Sequence, residues 1–152
     1  MSRAFIKESD DDLELPDRPV SEHPNDVTAE GLAQIETSLA MARQAVAEAQ
    51  SSGDRSALAQ ASRDLRYWTA RRATAHLVPP TEEKDVVRFG ATVTIRRDDG
   101  REQTFRIVGE DEADPARGTI SHVSPLARAM FGKAAGDVIR IASAEAEILT
   151  VA

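Results

Sequence analysis

One carboxylate of this chain is set apart by its position. Asp54 closes Ser51-Ser52-Gly53-Asp54, the single break between two long helical patterns, and so stands at the apex of whatever those helices form. A carboxylate there has two uses. It can accept the first backbone N–H groups of the helix that follows, as short polar N-cap side chains do. It can also offer an oxygen to a divalent ion, but alone it holds Mg²⁺ poorly, because that ion keeps its waters and takes further carboxylates and phosphates. The other chemistry-bearing residues are scattered. His23, His76 and His122 fall in no metal-ligand spacing, and there is no cysteine to complete a zinc site. Nucleophile-elbow, phosphate-loop and dinucleotide patterns are missing. Ser124-Pro125 is accounted for by a helix start, with Ser as N-cap and Pro at the first helical position. The chain is therefore read as no enzyme in its own right, with no resident metal or cofactor.

The elements that position Asp54 begin at Thr28, a preferred N-cap. Leu32, Ile35, Leu39, Ala42, Val46 and Ala49 follow at spacings of three and four, the narrow apolar seam of a helix facing one partner. Gly53 ends that run. A second seam carries Leu58, Ala61, Leu65, Trp68, Arg72 and Ala75, and Pro79-Pro80 stops it. Two helices of similar length joined by a short turn predict an antiparallel hairpin over residues 28–80. Its bulky contacts lie away from the turn, so the apex is the weaker end.

From Asp85 the apolar period changes to two. Val87, Phe89, Ala91, Val93 and Ile95 alternate with smaller or polar residues, Asp99-Gly100 gives a hairpin turn, and Phe105 and Ile107 return. An acidic loop from Glu110 to Gly118 leads to a short strand, Thr119 to Ser121. A helix of under two turns follows Ser124-Pro125, and Val138–Ile141 and Glu147–Val151 close the sheet. Residues 85–152 thus read as an antiparallel sheet domain wrapped on one short helix, and the whole chain as α+β. Residues 1–27, with Asp10-Asp11-Asp12 and three prolines, bury little and read as a flexible acidic tail.

Charge narrows the partners. The formal net charge is −7, and the first 27 residues hold eight acidic against three basic side chains. No segment has the basic excess that duplex DNA requires, so direct sequence-specific DNA binding is not expected. There is no run of about 18 apolar residues and no secretory h-region, so neither a membrane span nor a signal is expected. Absence of cysteine agrees with a reducing cytoplasm. The chain is expected to be cytoplasmic and to act as a monomer.

The sheet region has a further property. FGATVTI at 89–95, RIVGEDEADP at 106–115, Ile120-Ser121 followed by SPLARA at 124–129, and Gly136-Asp137 stand in an order and spacing that resemble the C-terminal domain of the bacterial Gre family of transcript cleavage factors. Thr28-Ala29-Glu30-Gly31-Leu32 and Gly53-Asp54-Arg55-Ser56 extend the resemblance over residues 28–152. It implies an FKBP-like fold for residues 85–152 that grips RNA polymerase at its secondary channel, through a segment corresponding to His122, Val123, Ser124 and Pro125. Where the family usually has Asn or Asp before Ser-Pro, this chain has Val123.

At the apex the resemblance implies two acidic residues, an Asp after the Gly and a Glu three positions later. There they share a second Mg²⁺ with the polymerase, which itself hydrolyses backtracked RNA. This chain has Asp54, but Ala57 occupies the Glu position and Leu58 that of the usual Asn. Each helix is also shorter than the family's by about two turns, or roughly 10 Å. The first reading is thus a polymerase-binding regulator of elongation with weak or no cleavage stimulation. The second is a genuine cleavage factor relying on Asp54. A third class, a peptidyl-prolyl isomerase or general protein-binding module, needs an aromatic-lined pocket. Phe89, Phe105 and Phe131 are each explicable as core.

Overall fold

The computed structural model describes residues 15–152, which divide into two compact units: the chain up to Glu22 with Ala33–Thr74, and His23–Leu32 with Ala75–Ala152. In the first unit the two seams wind into α1 (Ala29–Ser52) and α2 (Arg55–Thr74), of 24 and 20 residues, or about 36 and 30 Å at 1.5 Å per residue. Ile35, Leu39, Ala42 and Ala49 of α1 are buried, as is Ala61 of α2. Gly53, at φ 71°, takes the left-handed conformation that ends α1. One seam position differs from expectation. Arg71, 2% exposed, is buried in place of Arg72. Arg72 lies on the rim instead, where its guanidinium reaches Glu36 of α1 at 3.1 Å.

The expected flexible tail over residues 1–27 divides. Residues 1–14 lie outside the described residues, whereas Leu15–Glu22 pack along α2. The Arg18 guanidinium lies 3.8 Å from the Tyr67 ring centroid and pairs with Asp64 at 3.1 Å. Asp17 pairs with Arg66 at 2.5 Å. The composition of this segment is that of a tail. What orders it is supplied by α2: an edge-to-face Tyr67–Trp68 pair with charged neighbours on either side.

In the second unit, β1 (Asp26–Val27) precedes α1 and β2 (His76–Leu77) follows α2, and the two pair in parallel. The main sheet has β3 (Thr92–Arg97), β4 (Glu102–Val108), β5 (Thr119–Ser121), β6 (Val138–Ile141) and β7 (Ala144–Val151), in the order β5-β4-β3-β7-β6. It is mixed, which corrects the wholly antiparallel expectation, since β5 runs parallel to β4. The acidic loop after β4 is long enough to carry the chain back to the same end of the sheet before β5 begins. The strand expected from Val87 starts only at Thr92, because Phe89-Gly90 forms a turn. Val93, Ile95, Ile107 and Ile148 are fully buried beneath Ala127 and Met130 of α3 (Pro125–Met130). Each such aliphatic side chain contributes about 1.5–3 kcal/mol by burial.

Candidate docking turn and hairpin apex

The segment between β5 and α3 is braced chiefly by its own backbone. His122 N–H donates to the Val108 carbonyl at 2.9 Å, and Ser124 N–H to the Ser121 carbonyl at 3.0 Å. Val123 N–H donates to the Ser121 hydroxyl, and the Ser124 hydroxyl accepts from Ala127 N–H, each at 3.2 Å. Pro125 follows as the first residue of α3, exposed to solvent. The His122 ring meets Phe89 edge-on with centroids 5.4 Å apart. His122, Val123, Ser124 and Pro125 therefore form one rigid, half-exposed turn. Arg128 of α3 extends this face, and its guanidinium lies 3.4 Å from the His23 ring nitrogen.

At the apex, Asp54 is exposed and its carboxylate accepts the Ala57 N–H at 3.0 Å. Its carbonyl accepts Leu58 N–H, which begins the α2 ladder. The capping use considered for this residue is thus the one it makes. Among the described residues no group of three or more His, Asp or Glu could hold a metal ion. The apex, with one carboxylate and Ala57, does not fit a divalent ion by itself. Each histidine has a partner of its own: His76 pairs with Asp26 at 3.0 Å, His23 meets Arg128 and the His122 ring meets Phe89.

A second cluster holds the start of α1. The Thr28 hydroxyl, 3% exposed as a residue, lies 2.7 Å from each Glu112 carboxylate oxygen and accepts the Gly31 N–H at 3.0 Å. A Cβ on Gly31 would come within 2.5 Å of a Glu112 oxygen, so any larger residue there requires the Glu112 carboxylate to shift. Glu30, one residue into the helix, faces Arg106 of β4 at 3.7 Å. Its own backbone N–H and then the Arg106 charge lower its pKa below the ordinary carboxylate value. Thr28 was legible as a cap. Its acceptor 84 residues later was not, since nothing local links the two.

The GEDEADP loop that supplies Glu112 and the SPLARA start of α3 lie in the segment 81–152, which matches the family model of the GreA/GreB transcription elongation factor C-terminal domain. The likeness reaches beyond that segment: the chain is 38% identical over 143 residues to the transcription elongation factor GreA of Hyphomonas neptunium, covering 77% of this chain and 87% of that protein. This chain belongs to the GreA/GreB family. It is also 46% identical over 95 residues to GreB of Neisseria meningitidis serogroup B, covering 59% of this chain and 58% of that protein. Against that GreB, then, the chain spans little more than half the length. Among solved structures it is similar to a GreA/GreB factor from Nitrosomonas europaea at 21% identity and TM-score 0.42, covering 83% of this chain and 97% of that one. Among the described residues no helix is long and apolar enough to cross a membrane.

Proposed function

We propose that this Gre-family chain binds RNA polymerase through the His122–Pro125 turn and regulates elongation from the secondary channel, with little or no stimulation of transcript cleavage. The observation that carries this reading is the use of the apex. The one carboxylate there caps α2 through the Ala57 N–H at 3.0 Å, and Ala57 itself stands where the Gre resemblance calls for the second carboxylate. The chain is then no enzyme: any hydrolysis belongs to the polymerase and its own Mg²⁺, toward which this apex offers one carboxylate, Asp54. Helices of 24 and 20 residues, shorter than the resemblance implies, support the same conclusion.

The test is RNA cleavage in a stalled, backtracked elongation complex with and without the protein. Cleavage no faster than that of polymerase alone, together with measurable binding, is the expected result. The competing reading, a genuine cleavage factor, draws support from the exposure of Asp54 at the apex. Rapid cleavage that Asp54→Ala abolishes would establish it. An isomerase reading has less support. The cleft of about 230 Å³ beside Val86 and Phe89 has Phe89 as its sole aromatic, too few rings to hold a prolyl ring.

A further inference from the structure

Pro16-Asp17-Arg18-Pro19 sets two prolines at either end of an acid and an arginine. Each proline fixes its own φ at about −65° and pushes the residue before it, Leu15 or Arg18, toward extended backbone. Residues 15, 16, 18 and 19 are thereby held near the polyproline conformation before any contact forms, and the segment has neither helix nor strand.

The surface beneath suits such a segment. Asp64, Tyr67 and Trp68 stand at i, i+3 and i+4 on α2 and so share one face. The two rings meet edge to face with centroids 4.9 Å apart. Arg18 lays its guanidinium 3.8 Å from the Tyr67 centroid and 5.5 Å from that of Trp68, and reaches Asp64 at 3.1 Å. Asp17 takes the neighbouring Arg66 at 2.5 Å. Aromatic rings under a stiff proline-bearing segment are the means by which polyproline ligands are recognised, and here a carboxylate seats the arginine.

The contacts are of an exchangeable kind. None of residues 15–22 is buried, and the Asp17 and Arg66 side chains are 72% and 46% exposed. Exposed ion pairs of this sort are weak, and salt weakens them further. The buried seam of the hairpin is supplied by α1 and α2 alone, so release of the segment leaves the two helices packed. We propose that the Asp64–Trp68 face of α2 is a peptide-recognition surface, that Pro16–Pro19 fills it as a built-in competitor, and that its partner is an extended segment of another protein with the same pattern of proline, acid, arginine and proline. A partner must displace the resident segment, so its apparent affinity is reduced by the fraction of molecules in which that segment has let go. The inference is independent of the polymerase docking proposed for the His122–Pro125 turn.

The test titrates a synthetic peptide of residues 15–20 into the full-length protein, read by the amide shifts of residues 64–68 and by the emission of Trp68, the sole tryptophan. Arg18→Glu removes the stacked cation and opposes Asp64, so it is expected to free the face and to bind the peptide about five- to twentyfold more tightly than wild type. The same change made in the peptide is expected to abolish its binding. Raising salt from about 0.05 to 0.5 M is expected to increase acrylamide quenching of Trp68 in wild type, and Arg18→Glu to show the higher quenching at low salt already. Equal affinity in wild type and Arg18→Glu, or no shift at residues 64–68 with millimolar peptide, overturns the proposal. Shifts there that follow protein concentration without peptide would overturn it too, by giving the face to a second copy of this chain.

Discussion

The hydroxyl of Thr28 lies 2.7 Å from both carboxylate oxygens of Glu112, across 84 residues of chain. One hydroxyl proton is shared between two acceptors while the same oxygen receives the Gly31 N–H, so all three groups are tied to one atom. The most acidic motif of the sheet domain thereby does structural work at the first turn of α1. It also places a negative charge near a helix N-terminus, the favourable end.

The first prediction is that this cluster is cooperative. Glu112→Ala leaves a buried hydroxyl without its acceptor and is expected to destabilise the protein by about 1–3 kcal/mol. Thr28→Ala removes the cap at about 0.5–2 kcal/mol, and the double variant should cost less than the two single costs added together. Gly31→Ala should be tolerated better beside Glu112→Ala than in wild type, since the clashing oxygen is then gone. Urea denaturation of the set gives the coupling energies.

The second concerns pH. The Glu30 pKa is lowered in the folded state, first by its own backbone N–H and then by Arg106. A depressed carboxylate adds stability that is complete above its unfolded pKa and is lost as pH falls through the lower folded one. Asp85 and Asp99 are lowered likewise, chiefly by side-chain hydrogen bonding from Arg88 and by the Arg101 backbone N–H respectively. Glu30→Gln should therefore flatten the fall in melting temperature on acidification below about pH 4.5. An equally steep fall in the variant would discount Glu30 as a contributor.

The third addresses the docking turn. Ser124→Arg removes the acceptor of Ala127 N–H, and Pro125→Ala frees the first helical residue, so each loosens the turn as well as altering its surface. Polymerase affinity is expected to fall in both while each variant stays folded, Ser124→Arg losing about 0.5–2 kcal/mol with its helix cap. Unchanged affinity in two folded variants would place the contact elsewhere.

The fourth addresses the apex. Asp54→Ala should leave polymerase binding intact and remove little cleavage, while costing α2 its cap, about 0.5–2 kcal/mol. Ala57→Glu alone should not create cleavage, because reach is also short. Ala57→Glu together with two added turns in both helices is the combination expected to gain activity in the backtracked complex.

Much of this was readable from residue order. The seams of Ile35, Leu39, Ala42 and Ala49, the Gly53-Asp54 turn and the Ser124-Pro125 helix start all depend on neighbours within four positions, where local rules are strong. Three features escaped for one physical reason. The Thr28–Glu112 contact, the order of Leu15–Glu22 and the pairing of two-residue β1 with β2 all depend on partners about 50 or more residues away. The mixed sheet escaped for another. Alternation marks a strand's faces but not its direction, and only the length of the loop after β4 hinted that β5 runs parallel.

The pairing of β1 with β2 has a consequence for how such a protein can change. The two strands run parallel, and the crossover that joins them is the entire helical hairpin. Asp26 faces His76 and Val27 faces Leu77, so the chain leaves the sheet-bearing unit and re-enters it at adjacent points. The apex-side turns, beyond the ties of Thr28 to Glu112 and of Asp17 and Arg18 to α2, behave as an interchangeable cassette closed by a fixed clasp. Whole turns can be added to or taken from both helices without disturbing that register, and doubling such a closed loop costs only about 0.6 kcal/mol in closure entropy. Reach and grip can thus be inherited separately, which is the freedom a lineage needs to keep a binding surface while resizing what it presents.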